Sequence, residues 1–411
     1  MQERLNLLFI FSAGFDIDHS STILMRNALE DALKRGYNVH YYAPQSAREA
    51  VNYPQGLENS ERLSYDSLYI APASKWNLPL RYIKLVEYGY RIRKFLNNKN
   101  DYDVVYIQST PAALWIINSV KKYNKNVPCI YSVLDMFPGS TIASGKMPLK
   151  IMQNFFYGIQ DSVFKKATHI MTMSYDMKLK VQACGVAPDK ITAWDTWFDH
   201  STLRIINDED NTFISEFGMD KNNKFYIQYA GNVGYVYDVD TLIAVARRLA
   251  DRKEFVFQLV ARGSQLPYVN NLISKYKLTN IQIIPLQPVN RVSEVYSACD
   301  IQFIPLKRGV MGNSFPSKLA HVMAVGKSFI CSIDKTVFFD IAAEKKIGFC
   351  FEIGDIDGIV SCIKKAYANR DILKNYGNNA LLFARERYSR ERNTKIILDT
   401  IEKVAAEARK K

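Results

Sequence analysis

The feature that most constrains this chain is a rhythm that occurs twice. Short apolar runs rich in β-branched and aromatic residues alternate with longer stretches of helical period. In the first half the runs are LNLLFIFS, NVHYYAP, DVVYIQS, VPCIYSVLD, THIMTMS and KITAWDTW; in the second they are KFYIQYAG, FVFQLVARG, IQIIPLQ, DIQFIPL, KSFICSID and FCFEIG. Near-continuous apolar runs of this length read as strands covered on both faces, and the helices between them supply the crossovers that parallel strands need. One such helix, ILMRNALEDALKRG, carries its own stop signal in Gly36. In the second half, helices are expected near Asp238 to Asp251, Val269 to Tyr276, Pro316 to Ala324 and Asp355 to Ala368. The expected class is therefore α/β, with two doubly wound parallel sheets. The polar segment Asp208 to Asn223 interrupts the pattern and reads as a linker, and after Asn369 the sequence is helical to its end.

Two such sheets side by side would form a cleft at the carboxyl ends of their strands, where open α/β sheets bind ligands. With 411 residues, 48% of them hydrophobic, the chain can bury a large core. No apolar run reaches the roughly 18 to 20 residues of a membrane span, and the start, MQERLNLLFIFSAGFDIDHSS, reads as a buried first strand. Six cysteines, Cys129, Cys184, Cys299, Cys331, Cys350 and Cys362, show no C-x-x-C spacing, which fits a reduced cytoplasmic protein.

The formal charge of +13 calls for a partner. Nucleic acid is not expected, because zinc-ligand spacing, RNP-like strands and long basic runs are all missing. The basic residues thicken instead in KWNLPLRYIKLVEYGYRIRKFL, where Arg81, Lys84, Arg91, Arg93 and Lys94 interleave with Trp76, Leu80, Ile83, Leu85, Tyr88 and Phe95. On a helix this makes a basic amphipathic surface suited to anionic lipid headgroups. It equally fits a solvated helix face above an ordinary buried stripe.

The sequence lacks the motifs of several chemistries. FSAGFDIDHS has a single glycine after the first strand, so no G-x-G-x-x-G is present, and there is no Walker A sequence or G-x-S-x-G elbow. The five histidines, His19, His40, His169, His200 and His321, share no metal-ligand spacing. What remains is anion binding. In GNSFPSKLAHVMAVGKS, Pro316 suits the first turn of a helix and Asn313 or Ser314 suits its cap, so backbone N–H groups should point into the loop GVMGNS. With Lys318 and the hydroxyls of Ser314 and Ser317 beside them, this is a diphosphate cradle. The helix dipole contributes only about 0.3 to 2 kcal/mol, so Lys318 should supply a large share. Two further post-strand turns, YAGNVGYVYD and ARGSQ, place Gly231, Gly234 and Gly263 where backbone can approach a nucleotide closely.

These stretches carry a resemblance. GNVGYVYDVDTLI, LVARGSQ, VYSACDIQFIPL and SFPSKLAHVMAVGKS, in that order, resemble the donor-binding domain of GT-B glycosyltransferases of family 4, in a branch similar to bacterial capsule, O-antigen and exopolysaccharide transferases. YDVVYIQSTPAALW, VPCIYSVLDMFPGS and THIMTMSYDMKLKV follow the family's order in the first half, so the similarity covers almost the whole chain. The resemblance implies two Rossmann-like domains facing each other across a cleft. It implies an acceptor-binding domain at 1–205, a nucleotide-sugar-binding domain at 206–372, and helices at 373–411 that cross back to the first domain. It implies a retaining, metal-independent sugar transfer from a nucleotide diphosphate donor, a UDP-sugar being expected, to a lipid-diphosphate-linked saccharide, by a cytoplasmic protein peripheral on the inner face of the membrane. No cofactor is expected.

Carried over residue by residue, the resemblance implies donor contacts from Gly14, Gly231, Asn232, Gly234, Arg262, Gly263, Asn313, Ser314, Phe315, Ser317, Lys318 and His321. Lys318, Asp135 and Arg262 are the candidates for catalysis, and Asp16, Asp18 and His19 line the acceptor side. The basic helix Arg81 to Lys94 supplies the membrane contact. The departures matter as much. Asn313 and His321 stand where the family has two glutamates, and Asn232 and Tyr237 stand where it has a basic pair, for which Arg262 is a candidate replacement. His321 fits either a hydrogen bond to ribose or packing on the helix's inner face. Leu134 replaces a family histidine beside Asp135, which either orients a sugar or caps the following turn. The D-x-D of Asp16 and Asp18 and the GDIDG of Gly354 to Gly358 are not read as metal sites; the second reads as a helix cap. Two rivals remain open: a nucleotide-sugar epimerase, which needs carboxylates in the cleft, and a non-catalytic partner subunit of a transferase.

Overall fold

The computed structural model describes residues 4–16, 20–46, 53–54, 56–70, 78–99, 101–198 and 203–410. Asp18, His19, Trp76 and His200 lie outside the described residues, and of Arg81 only the backbone is described. The chain divides into two compact units. The first comprises residues 1–138, 147–195 and 391–411, and the second comprises 139–146 and 196–390.

The first unit is built on seven parallel strands: β1 (Asn6–Ile10), β2 (Asn38–Gln45), β3 (Leu63–Tyr69), β4 (Val104–Gln108), β5 (Cys129–Val133), β6 (His169–Thr172) and β7 (Ile191–Ala193), in the order β3-β2-β1-β4-β5-β6-β7. All of the expected strands form; β3 is the addition. Its sequence LSYDSLY is half polar because it is an edge strand with only Leu63 buried, so it lacks the apolar run that marks its neighbours. The helix Ser20–Lys34 stops where Gly36 adopts a φ of 87°. There Gly36 N–H donates to Leu33 O at 2.9 Å and Tyr37 N–H to Ala32 O at 3.2 Å, a closure that favours glycine.

The second unit carries six parallel strands: β8 (Phe225–Asn232), β9 (Phe255–Arg262), β10 (Ile281–Pro285), β11 (Ile301–Pro305), β12 (Phe329–Ile333) and β13 (Phe349–Glu352), in the order β10-β9-β8-β11-β12-β13. Its core packs Phe225, Ile227 and Tyr229 of β8 against Leu242, Val245, Val269 and Ile359 of the covering helices. A chain of buried amides pins the register: Gln302 Nε2 donates to Gln228 Oε1 at 2.6 Å and Gln228 Nε2 to Gln258 Oε1 at 2.8 Å. A one-residue slip of any of these strands would leave these groups unpaired in the core. Asp355 caps the helix Ile356–Ala368 by accepting from Gly358 N–H at 2.9 Å, so GDIDG is the helix start it was expected to be.

Two expectations about boundaries are corrected. Residues 208–223 are not a free linker. Asn211 caps the short helix Thr212–Glu216 and donates to Glu294 O at 2.9 Å, and Arg291 pairs with Glu216 at 2.7 Å. Most of its polar residues are exposed, and Asn211 and Glu216 tie it to the helix Val292–Ala298 and to the residue before that helix. The final helices also part company. The helix Arg370–Arg387 stays in the second unit, packed so closely on the turn after Lys318–Ala324 that a Cβ at Gly377 would lie 2.1 Å from Gly326 O. Only the helix Arg390–Arg409 joins the first unit, where Glu402 accepts from Arg35 at 2.5 Å and Arg409 pairs with Asp103 at 2.7 Å.

In each sheet the strand order reverses once, between β1 and β4 and between β8 and β11. The loops that leave the carboxyl ends of such a pair diverge to opposite sides and open a crevice. In the second unit those loops are the ones that the sequence singled out.

Candidate functional site

Three loops of the second unit are sewn into one platform. Val233 N–H, just past β8, donates to Arg262 O at 2.7 Å, and Gln265 N–H returns to Val233 O at 3.1 Å. The Gln265 side chain donates to Gly234 O at 2.7 Å. On the other side, Lys307 N–H after β11 donates to Val236 O at 2.9 Å. Gly263 is where backbone meets backbone: its φ is 141°, and a Cβ there would lie 2.5 Å from Val233 O. Asn232 is exposed, and its amide fills the gap between Gly234 and Gly263, with Oδ1 toward the latter.

Lys318 opens the helix Lys318–Ala324, yet its side chain is only 8% exposed. Its Nζ lies 3.8 Å from the ring centroid of Tyr229 and 4.2 Å from that of Tyr237, two rings that meet edge to face at 5.2 Å. Tyr229 and Gly231 share a face of β8 by the two-residue period of a strand, and the missing side chain of Gly231 leaves room for the ammonium: a Cβ there would stand 3.3 Å from Nζ. Among the described residues Nζ has no hydrogen-bond partner. Burial drives the Lys318 pKa from the 10.5 of a free lysine to about 7, with the nearby Cys331 thiol acting weakly in the opposite direction. The rings stabilise the cation through their faces but neutralise nothing. Burial is relieved here either by loss of the proton, as the lowered pKa shows, or by an anion placed against the ammonium.

The expected cap of this helix is not formed. Asn313 N–H and Ser314 N–H both donate to Val310 O at 3.0 Å, and the Asn313 amide donates to Gly309 O at 2.6 Å, pinning its own loop. Leu319 and Ala320 spend their N–H groups on Pro316 O and Ser317 O in a tight first turn, and Ser317 makes no side-chain cap. The helix begins at Lys318 rather than Pro316 and offers fewer free donors than its sequence suggested, so Lys318 carries the electrostatics. Phe315 turns inward against Phe338 and Tyr388, so its ring belongs to the core rather than to a ligand surface. Ser314 and Ser317 are half-buried. His321 is half-buried as well, and burial lowers its pKa to about 4, so it is neutral at pH 7. Arg262 is exposed at the end of β9, register partner of Asn232; the buried cation near the lost basic pair is Lys318 instead.

The sequence reasoning missed Tyr229, Gln265 and Asp334. Asp334, after β12, accepts from Gly309 N–H at 2.7 Å and holds the Gly309–Asn313 loop. Tyr229 was legible only as a strand residue, and its role depends on a lysine 89 positions away.

In the first unit, Gly14 is buried between β1 and the helix that follows. Asp16 is a strut: one carboxylate oxygen accepts from both the N–H and the hydroxyl of Ser46 at 2.6 Å. Asp135 is exposed, and Leu134 is buried with its N–H on Ser109 Oγ at 3.2 Å. In the helix Leu78–Asn98, Tyr88, Ile92 and Leu96 form a buried stripe, Arg91, Arg93 and Lys94 are exposed, and Lys84 is half-buried. No helix among the described residues is long and apolar enough to cross a membrane, and no three metal-ligating side chains gather among them.

Comparison with known proteins names this arrangement. The family model "Glycosyl transferases group 1" matches residues 210–382, and "Glycosyltransferase Family 4" matches 23–202, so the two together span most of the chain. The chain belongs to glycosyltransferase family 4. It has the GT-B fold: HepE of Anabaena, solved with UDP and glucose, superposes with a TM-score of 0.71 at 12% identity, over 97% of this chain and 100% of that one. Sucrose-phosphate synthase of Thermosynechococcus elongatus gives 0.77 at 12% identity, over 98% and 100%. An Escherichia coli K12 protein named for colanic acid biosynthesis, the glycosyl transferase WcaI, is 24% identical over 200 residues. That match spans 48% of this chain and 49% of the relative, so the chain aligns with about half of its length.

Proposed function

We propose that this family 4 protein moves a sugar, with retention of configuration and without a metal, from a nucleoside diphosphate donor to a lipid-diphosphate-linked saccharide during surface polysaccharide assembly. The observation that carries the reading is Lys318, a buried ammonium without an anion, set between Gly231 and two tyrosines at the switch point of the second sheet. In the reaction the bond from the anomeric carbon to the diphosphate breaks and a bond to an acceptor oxygen forms. Negative charge accumulates on the leaving diphosphate, and a cation already fixed there stabilises the transition state more than the ground state. Gly231, Gly234 and Gly263 let backbone approach the nucleotide, and neutral His321 offers a hydrogen bond to ribose. A UDP-sugar is the expected donor, in keeping with the UDP that HepE binds, and polysaccharide assembly is in keeping with the relative named for colanic acid biosynthesis. The acceptor belongs to the first unit in this reading, with Gly14, Asp16 and Asp135 nearby in sequence to its switch-point loops. The place of work is the inner membrane face, reached through Arg91, Arg93 and Lys94.

A thermal-shift panel of UDP-, GDP- and dTDP-sugars tests the donor half, since a ligand that binds only the folded state raises its stability by mass action. A selective rise with one nucleotide is expected; no rise with any of them sinks the proposal. The amide at 313 and the neutral imidazole at 321, in place of two carboxylates, favour a second reading, a partner subunit that binds the donor without turning it over. A donor that shifts the melting temperature, yet is not consumed when a lipid-linked acceptor is supplied, would decide for that reading.

A further inference from the structure

We propose that Gly139–Lys146 is a positioning strap of the donor site, which holds the loop 309–313 through Gly139 and the turn 234–236 through Lys146. The proposal rests on the donor reading above and adds to it residues that no loop of the second sheet supplies. In sequence this stretch follows β5, yet it groups with the second unit: the chain leaves the first unit after Pro138 and returns to it at Met147.

The strap is built to present its two ends. Gly139–Ala143 is one short helix, closed by Lys146 N–H on Thr141 O at 3.2 Å and Gly145 N–H on Ile142 O at 2.8 Å. That pair of bonds needs a left-handed residue at the exit, and Gly145 supplies it with a φ of 76°. Ser144 Oγ adds a bond to Thr141 O at 2.7 Å. The direction in which Lys146 leaves the helix is thereby fixed. Its Nζ lies 4.6 Å from the ring centroid of Tyr235. Tyr235 sits between Gly234, whose carbonyl accepts from Gln265, and Val236, whose carbonyl accepts from Lys307. At the other end, the Asn313 amide lies so close to Gly139 that a Cβ there would stand 2.5 Å from Oδ1. The same amide donates to Gly309 O, and a Cβ at Gly309 would meet Ala143 Cβ at 3.7 Å.

Both ends of the strap therefore finish on donor loops. The loop 309–313 leads into Lys318; Asp334 holds it at Gly309 N–H, and the strap meets it at Gly309 and Asn313. The turn at Tyr235 follows Gly231 and Gly234, so its backbone has freedom that must be given up when a nucleotide binds. A cation over a ring near the surface is a weak contact, worth about two- to fivefold in an equilibrium. It adds little to folding, but it biases the turn before the nucleotide arrives, and that bias appears as affinity.

Titration calorimetry of the full chain with UDP, GDP and dTDP reads the effect. Lys146→Met is expected to weaken binding of the nucleotide that wild type takes by about two- to fivefold, with circular dichroism and the urea midpoint unchanged. Lys146→Arg is expected to restore it, since a guanidinium also rests on a ring face. Tyr235→Leu should cost as much as Lys146→Met, and the double variant no more than either alone, because each removes the same contact. Gly139→Ala should cost about tenfold or more, and little further in an Asn313→Ser background, where the amide that its methyl meets is gone. Unchanged affinity in Lys146→Met overturns the strap. So do losses that add in the Lys146/Tyr235 double variant, which would make Lys146 a direct ligand of the nucleotide. A wild type that binds none of the three nucleotides overturns the donor reading and the strap with it, whereas a wild type that binds while the variants match it overturns the strap alone.

Discussion

Replacing Lys318 by methionine should make the protein more stable and remove its response to donor. The ammonium is 8% exposed and unpaired, and burial lowers its pKa from 10.5 to about 7. At about 1.4 kcal/mol per pH unit, keeping it charged costs folding on the order of 5 kcal/mol below pH 7, an upper bound that relaxation reduces. Methionine has similar length, packs against Tyr229 and Tyr237, and carries no charge, so a gain of about 1 to 3 kcal/mol is expected at pH 6.5. The sign of the pH dependence is fixed. Between pH 7 and 10.5 the unfolded chain holds a proton at Lys318 that the folded chain lacks, so this group makes wild-type stability rise with pH across that window. The methionine variant lacks that rise, and its advantage should shrink toward alkaline pH. Urea unfolding at pH 6.5 and pH 9, each with and without saturating UDP-sugar, measures both effects. A variant that is less stable than wild type at pH 6.5, or that keeps the donor-induced stabilisation, would refute the reasoning.

Three further outcomes follow from the same geometry. Donor affinity of the wild type should fall above pH 7 by up to about tenfold per pH unit, because the diphosphate binds the protonated Lys318, and calorimetry in buffers of different ionisation enthalpy should show proton uptake near pH 8. Gly263→Ala should cost about 2 to 3 kcal/mol in urea unfolding, since a φ of 141° and a carbonyl 2.5 Å from the new Cβ leave it no relaxed position; an unchanged midpoint would dismiss the sewn-loop platform. Tyr237→Lys should destabilise wild type by placing two ammoniums together, but combined with Lys318→Met it should restore part of the donor-induced shift, a reversal that a double-mutant cycle reads directly.

The strands of both sheets were legible because their sequences are apolar on both faces, and so was the order of the site loops, since each follows a strand. What escaped has physical reasons. β3 is an edge strand with polar residues on its exposed side, so no apolar run announced it. The segment 208–223 is polar because most of it is exposed, and composition did not reveal that Asn211 and Glu216 nonetheless bind it to Glu294 and Arg291. The start of the helix at Lys318 was misjudged because Asn313, which fits a cap by sequence, spends its side chain on Gly309. One carboxylate oxygen of Asp16 accepts from Ser46, a tertiary partner that its place in a D-x-D did not announce. In each case the residue type was read correctly and the partner, set by tertiary contact, was not.

The substitutions at Asn232 and Tyr237 look in sequence like a loss of charge from the donor loop, with Arg262 as the obvious substitute. The structure relocates the charge differently. Tyr237 does not merely lack a cation; its ring, with that of Tyr229, forms the wall against which Lys318 rests. A lysine at 237 would repel Lys318, and a bulkier residue at 231 would crowd it, so the tyrosines, the glycine and the helix lysine make sense only as a set. Concentrating the cationic function in one buried group has a consequence for recognition. His321 is neutral and Arg262 lies in solvent, where its attraction to an anion is screened. On the proposed reading, the low-dielectric attraction for a diphosphate would come from a single proton on Lys318, and a donor would be held only as tightly as that proton stays in place.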